Sequence, residues 1–219
     1  MKVVGCCALA LVLPFVVACS HAPTQKTAAS PPSSTLSRAC VVAAAANAGD
    51  DENIAKLQRD LREQRAPARA AEQLGYRFVS RARLTNDAGF YKVAEEAAAC
   101  VESIDASDAS AWLLRGHALH QMHRFAEAEA IARRLVATRE FVLDYGLLGD
   151  VLMEQGRLAD AAVAYQKMID LKPFYQSYAR GAHLRWLKGD VDGAIDLMRR
   201  RQRYLLEVID DLRRLPRHD

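Results

Sequence analysis

The chain has 219 residues, of which 51% are hydrophobic, and a formal net charge of +3 from 30 basic and 27 acidic side chains. That length and apolar content are enough for a sizeable core. The near-balance of charge gives no electrostatic footprint for nucleic acid or for an anionic surface.

Residues 1–18 carry one charge, Lys2, followed by an apolar run from Val3 to Val17. The run is too short for a comfortable membrane span and fits the apolar region of an export signal. It closes on Val16-Val17-Ala18-Cys19. This ending resembles the lipobox of bacterial lipoproteins. The resemblance implies cleavage before Cys19, a diacylglycerol on its thiol and an acylated amine. Ser20, rather than aspartate, after the cysteine implies sorting to an outer membrane, facing the periplasm, in a Gram-negative cell. Several acyl chains make a stable anchor where one does not. The plainer alternative is an ordinary signal peptide with a chance cysteine. Removing Lys2 with the signal takes the net charge from +3 to +2.

Of five cysteines, Cys6 and Cys7 leave with the signal and Cys19 is the lipidation candidate. Cys40 and Cys100 remain, in a compartment that permits disulfides. Spacing alone does not distinguish a bridge between them from two small buried hydrophobes. Residues 19–38 form the lipidated cysteine and a tether rich in Ser, Thr, Ala and Pro, too polar to bury a core. Residues 39–66 read as N-terminal capping helices. The first is alanine-rich and ends near Asn47-Ala48-Gly49. The second starts at Asp50-Asp51-Glu52, where negative charge favours the helix dipole, and carries Ile54, Leu57 and Leu61 on one side. Pro67 opens the next helix, since proline is tolerated in a first turn.

From here a pattern recurs every 33 or 34 residues. An aromatic stands at Phe78, Trp112, Tyr145 and Tyr178. Four residues on comes a small one: Ala82, Gly116, Gly149 and Ala182. Twelve further on comes Ala94, Ala128, Ala161 and Ala194, each preceded by Tyr91, Phe125, Leu158 or Val191. A bulky side chain needs a gap opposite it where helices approach closely. A fixed period of this length therefore means stacked helical hairpins. Residues 142–174 are clearest. Tyr145, Leu148 and Leu152 share one face of a first helix, and Gly156 ends it in a left-handed conformation. Leu158, Ala161, Ala162, Tyr165, Met168 and Ile169 mark a second helix, stopped by Lys172-Pro173.

Through Tyr145, Leu148, Gly149, Gly156, Leu158, Ala161, Tyr165 and Pro173 the chain resembles the tetratricopeptide repeat family. The other units depart from the pattern. Arg115 stands where leucine is usual and His123 where the turn glycine is usual; Gly181 and Arg201 occupy normally apolar places. The resemblance implies an all-α, right-handed superhelical solenoid of about four helical hairpins with capping helices. The repeats occupy residues 67–207, in units of about 75–108, 109–141, 142–174 and 175–207. Residues 193–215 read as one amphipathic helix, so that 208–219 are the end of a C-terminal cap and a tail. Its basic cluster, Arg199, Arg200, Arg201 and Arg203, is either a patch for acidic lipid or a partner, or a solvated face balanced by Glu207, Asp210 and Asp211.

In such a stack the first helix of each unit lines a concave groove. Matching positions place Arg83, Asn86, His117, His120, Asp150, Met153, Glu154, His183 and Trp186 on it. That mixture suits an extended peptide or helix of an envelope partner. Trp186 is its natural anchor, or else a partly buried packing residue, whereas Trp112 falls at the core aromatic place. The reading is a non-enzymatic protein-interaction scaffold with no cofactor, held to a membrane through Cys19. Two alternatives use other features. His117, His120 and His183 are candidates for a metal-binding or hydrolytic cluster, although no paired metal motif, GxSxG sequence or Walker loop accompanies them. An unfinished stack end is a candidate for docking on a second copy as a homo-oligomer. Glu95-Glu96 reads as a solvated helix face.

Overall fold

A computed structural model describes residues 36–214 apart from Ala48. The expected export signal, Cys19, most of the expected tether and the last five residues lie outside the described residues. Among the described residues the chain forms ten helices and no strand. No helix among them is long and apolar enough to cross a membrane.

Two short helices precede the repeats: α1 (Arg38–Ala45) and α2 (Glu52–Arg62). Asp51 caps α2, accepting from the backbone N–H groups of Asn53 and Ile54. α1 has eight residues, too few to persist alone. Its last carbonyls are satisfied from α2: Gln58 Nε2 donates to the oxygens of Ala43 (3.3 Å) and Ala46 (2.7 Å), and Arg62 to that of Ala44 (2.7 Å). Cys40 on α1 is disulfide-bonded to Cys100 on α4 (Gly89–Ile104). The bridge resolves the two readings of these cysteines. α2 lies against α3 (Pro67–Thr85) and α1 against α4, so the pair closes the open end of the first hairpin.

Four hairpins follow: α3–α4, α5 (Ala109–Gln121) with α6 (Phe125–Thr138), α7 (Val142–Glu154) with α8 (Leu158–Leu171), and α9 (Tyr175–Leu187) with α10 (Val191–Arg214). The alanines that recur in register, Ala94, Ala128, Ala161 and Ala194, are all buried. Gly149 shows why that register needs small residues. A Cβ there would collide with the ring of Tyr165 on α8, so the two helices meet only because glycine is present. Trp112 is buried, with the Arg134 guanidinium 3.5 Å over its ring.

The last three hairpin turns repeat one hydrogen-bond pattern. The N–H groups of Arg124, Arg157 and Asp190 each reach back five residues, to the carbonyls of Leu119, Leu152 and Arg185, at 2.9 Å. His123, Gly156 and Gly189 sit before them with φ of 57°, 74° and 79°. These are Schellman turns. At the second unit a histidine takes the left-handed place at a cost of roughly 1–2 kcal/mol. Its ring packs edge-on against Phe125, centroids 5.4 Å apart, which offsets part of that.

The arginines that close these turns also tie successive second helices together. Arg124 bonds Glu127 on its own helix and Glu95 on α4; Arg157 bonds Asp160 and Glu129 on α6. Glu95 is therefore not a free solvated residue. It is half-buried and meets both Arg124 and Arg115. Arg115, at the usual leucine place, bridges to Glu102 as well. Glu129 has its carboxyl held down at about 2, chiefly by the Gln155 amide, with Arg133 and Arg157 adding to it against burial. The ladder stops at the fourth hairpin, where Asp190 replaces the arginine and pairs with Arg185. On α10, Asp210 and Asp211 pair with Arg213 and Arg214, not with the upstream arginine cluster; among the described residues Arg200 of that cluster pairs with Asp196.

Candidate functional site

The first helices of the four hairpins, α3, α5, α7 and α9, stack side by side and each adds polar side chains to one row. Arg83 comes from α3, His117 and His120 from α5, Asp150 and Glu154 from α7, and Arg180 from α9. His117 feels Asp150, Arg180, His120 and Arg83; His120 feels Asp150, Glu154, His123 and Arg180. The row is thus one electrostatic neighbourhood across four helices.

Asp150 is its centre. It accepts from Arg180 through both carboxylate oxygens, at 2.7 Å each, and from the Tyr165 hydroxyl at 2.8 Å. One carboxylate therefore joins α7, α8 and α9. A bidentate arginine contact of this kind is both strong and oriented. Burial first, and then Asp150, push the Tyr165 hydroxyl well above its ordinary range. Arg180 was not among the residues singled out from the sequence. The signal is its register, because it stands where the two preceding units have Leu114 and Leu147. A charge at a core place calls for a buried partner, and Asp150 is that partner.

His117 and His120 are both shifted toward the neutral imidazole. Burial lowers His117 to about 4, with Arg180, His120 and Arg83 adding to the shift and Asp150 opposing it. Burial likewise lowers His120. The Tyr91 hydroxyl donates to Gln121 Oε1 (3.2 Å), which turns the Gln121 amide nitrogen toward His120 Nδ1, also 3.2 Å away. Nδ1 must then accept, and the ring proton sits on Nε2, an atom buried without a hydrogen-bond partner.

This predicts a measurable acid sensitivity. In the unfolded chain His117 titrates near its ordinary 6.5. Between about 6.5 and 4 the unfolded chain binds the extra proton, so stability is full above that window and declines as pH falls through it. His117→Gln is expected to flatten the stability–pH curve between pH 7 and 5, reducing its slope by up to about one proton, or ~1.4 kcal/mol per pH unit. Urea unfolding at stepped pH measures it; an unchanged slope contradicts it.

The remaining residues fall elsewhere. Asn86 is the left-handed cap of α3 (φ 54°), in the turn that follows the helix. Met153 is half-buried beside the Tyr165 hydroxyl, 3.8 Å from its sulfur. His183 and Trp186 stack on each other, centroids 6.1 Å apart, and face the groove between α9 and α10 at the end of the stack. Trp186 is 61% exposed, so it is not a packing residue. His183 is thereby separated from His117 and His120. Among the described residues no group of three or more His, Cys, Asp or Glu side chains is arranged to hold a metal ion.

Residues 145–175 match the tetratricopeptide repeat family. No curated protein sequence matches the chain. Among solved structures, a crystal structure of MamA is similar at 21% identity, over 70% of this chain and 87% of that one, with a TM-score of 0.52. MamA 41-end from Desulfovibrio magneticus RS-1 is similar at 18% identity, over 79% of this chain and 98% of that one, with a TM-score of 0.53. At such identities the likeness shows the fold. Solenoids of stacked hairpins present extended concave surfaces suited to binding. Residues 145–175 are thus similar to a tetratricopeptide repeat, and the chain has the fold of a solenoid of four stacked helical hairpins.

Proposed function

We infer that the protein is a non-enzymatic scaffold that holds a peptide or helix of an envelope partner against its row of first helices. The observation that carries this reading is the row itself. Arg83, His117, His120, Asp150, Glu154 and Arg180 come from four separate helices, yet share one electrostatic neighbourhood. Arg83 and Glu154 are its exposed members and offer charges of both signs. The Asp150–Arg180–Tyr165 contact is the rigid floor beneath them, since its groups already bond each other. An extended partner would meet a preformed surface and lose little free energy to reordering it.

The scaffold is lipid-anchored through Cys19 and faces the periplasm from an outer membrane. The apolar run ending Val16-Val17-Ala18-Cys19 supports this, and so does the Cys40–Cys100 bridge, because disulfides persist in oxidising compartments. Cys19→Ser is expected to move the chain from the detergent phase to the aqueous phase of a fractionated envelope. Mass analysis of the wild-type N-terminal peptide should show acyl chains on Cys19. An unmodified cysteine at that position contradicts the anchor.

The binding face is tested by capture from solubilised native envelope with the full chain as bait. Arg83→Ala combined with Glu154→Ala is expected to lose the captured partner while keeping its helicity. Equal capture by both baits would sink the reading.

A further inference from the structure

The fourth hairpin is lopsided. α9 has 13 residues and α10 has 24. The first part of α10 packs on α9 through Ala194 and Leu197, both buried. From Leu206 to Arg214 every residue is exposed, so the second half projects beyond the stack. A projecting helical stretch of nine residues is marginal in water unless something covers it.

The projecting half is not polar throughout. Val191, Ile195, Met198, Leu205, Ile209 and Leu212 run along α10 in alternating steps of four and three, with Gln202 in the one remaining place. This is the 3.5-residue spacing of a coiled-coil seam, sustained for roughly three heptads and ~33 Å. Its residues are exposed, Leu205 alone being half-buried. Read backwards the steps are three and four in turn, so an antiparallel copy of the seam fits between the residues of the first.

We propose that α10 pairs antiparallel with α10 of a second copy of this chain, about a two-fold axis passing beside Gln202. In that arrangement Ile195 meets Leu212 of the second copy, Met198 meets Ile209, and Gln202 meets Leu205, and each contact occurs twice, as an isologous interface requires. The projecting half of each copy lies in the groove that Trp186 and the first half of α10 form on the other. The two glutamines lie side by side at the centre, next to the axis. A single polar pair there fixes register, as buried polar seam residues do in coiled coils.

Charge selects the direction. Residues 191–203 carry Arg199, Arg200, Arg201 and Arg203 against Asp192 and Asp196, whereas residues 204–214 carry Glu207, Asp210 and Asp211 against Arg213 and Arg214. An antiparallel pair lays the net-positive half on the net-negative half; a parallel pair sets like on like. On the flank of the seam, Asp192 comes opposite Arg213 of the second copy at both ends. Among the described residues Arg213 pairs with Asp210, in an exposed pair that re-partners at little cost.

The test uses the full chain in mild detergent with Cys6, Cys7 and Cys19 changed to serine, which leaves the Cys40–Cys100 bridge intact. Gln202→Cys in that background is expected to give a disulfide-linked dimer on mild oxidation. Val163→Cys, at an exposed place on α8, should stay monomeric. Sedimentation equilibrium of the parent should show a dimer, and Ile209→Asp should raise its dissociation constant at least about tenfold. Ile209 lies on the projecting half, so this change leaves the hairpins folded, with unchanged helicity. A parent that sediments as a monomer at all concentrations overturns the proposal, including the case where a helix of another protein fills the groove. So does a dimer that Ile209→Asp leaves equally strong, or one cross-linked as readily through Val163→Cys.

Discussion

Arg139→Ala is expected to lower the unfolding free energy by about 3 kcal/mol, the low end for breaking a buried ion pair. Arg139 caps the end of α6, and Asp144 lies in the first turn of α7, where the helix dipole favours a carboxylate. Asp144 is 0% exposed. Arg139 grips it through Nε at 2.8 Å and Nη2 at 3.0 Å, and Nη2 also donates to the Ala109 carbonyl at 3.3 Å. One guanidinium therefore fastens the link between the second and third hairpins to the start of α5. Without it Asp144 is a buried charge with no counter-ion. The guanidinium is itself a third exposed, which keeps the loss from being larger. Replacing both partners, as Arg139→Met with Asp144→Leu, should recover most of the stability, because no charge is then stranded. Arg200→Ala breaks an exposed pair one turn apart on α10 and should cost under ~0.5 kcal/mol. Urea unfolding with unchanged m-values checks all three. A loss for Arg139→Ala no greater than that for Arg200→Ala contradicts this account.

Replacing both bridged cysteines, as Cys40→Ala with Cys100→Ala, is the second large effect. The bridge spans a sequence separation of 60 residues. Closing so long a loop in the unfolded chain is worth about 4 kcal/mol on the entropy argument, and about 2–4 kcal/mol is the usual measured range. The loss should be spatially uneven. α1 is held by the bridge and by the Gln58 and Arg62 contacts to its last carbonyls. With the bridge gone, α1 should lose most of its amide-exchange protection at native conditions, while α7 keeps protection up to the global limit. Hydrogen exchange on the double variant reads both. Unaltered protection in α1 would show that the helix–helix contacts suffice.

Much of the fold is visible in the amino-acid order because hairpin stacking imposes spacing. The alternation of Phe78, Trp112, Tyr145 and Tyr178 with Ala82, Gly116, Gly149 and Ala182 is a packing requirement, and Gly149 against Tyr165 shows it directly. The turns are only half visible. Gly156 announces a left-handed residue, but His123 does the same work, because the Schellman hydrogen bonds come from backbone that every residue carries. The polar contacts are less visible still. Nothing in the separation of Asp150 from Arg180 states that they touch; that follows from which helices become neighbours. The same holds for Glu95 and Glu129 beneath the turn arginines, whereas Arg139 and Asp144, five residues apart, meet across the link between α6 and α7. His183 parts from His117 and His120 for a related reason. In the fourth hairpin His183 and Trp186 line the groove formed with α10, a neighbour that no spacing announces.

The central claim is that the row of first helices, and not the outer face of the stack, receives the partner. A photoreactive amino acid placed at Arg83, and separately at Val163 on α8, which is 72% exposed, tests it in the native envelope. The account predicts one discrete cross-linked partner from position 83 and none from position 163, with the product lost when Glu154 is changed to alanine. The same partner cross-linked from position 163, with position 83 silent, would contradict the claim and place binding on the second helices.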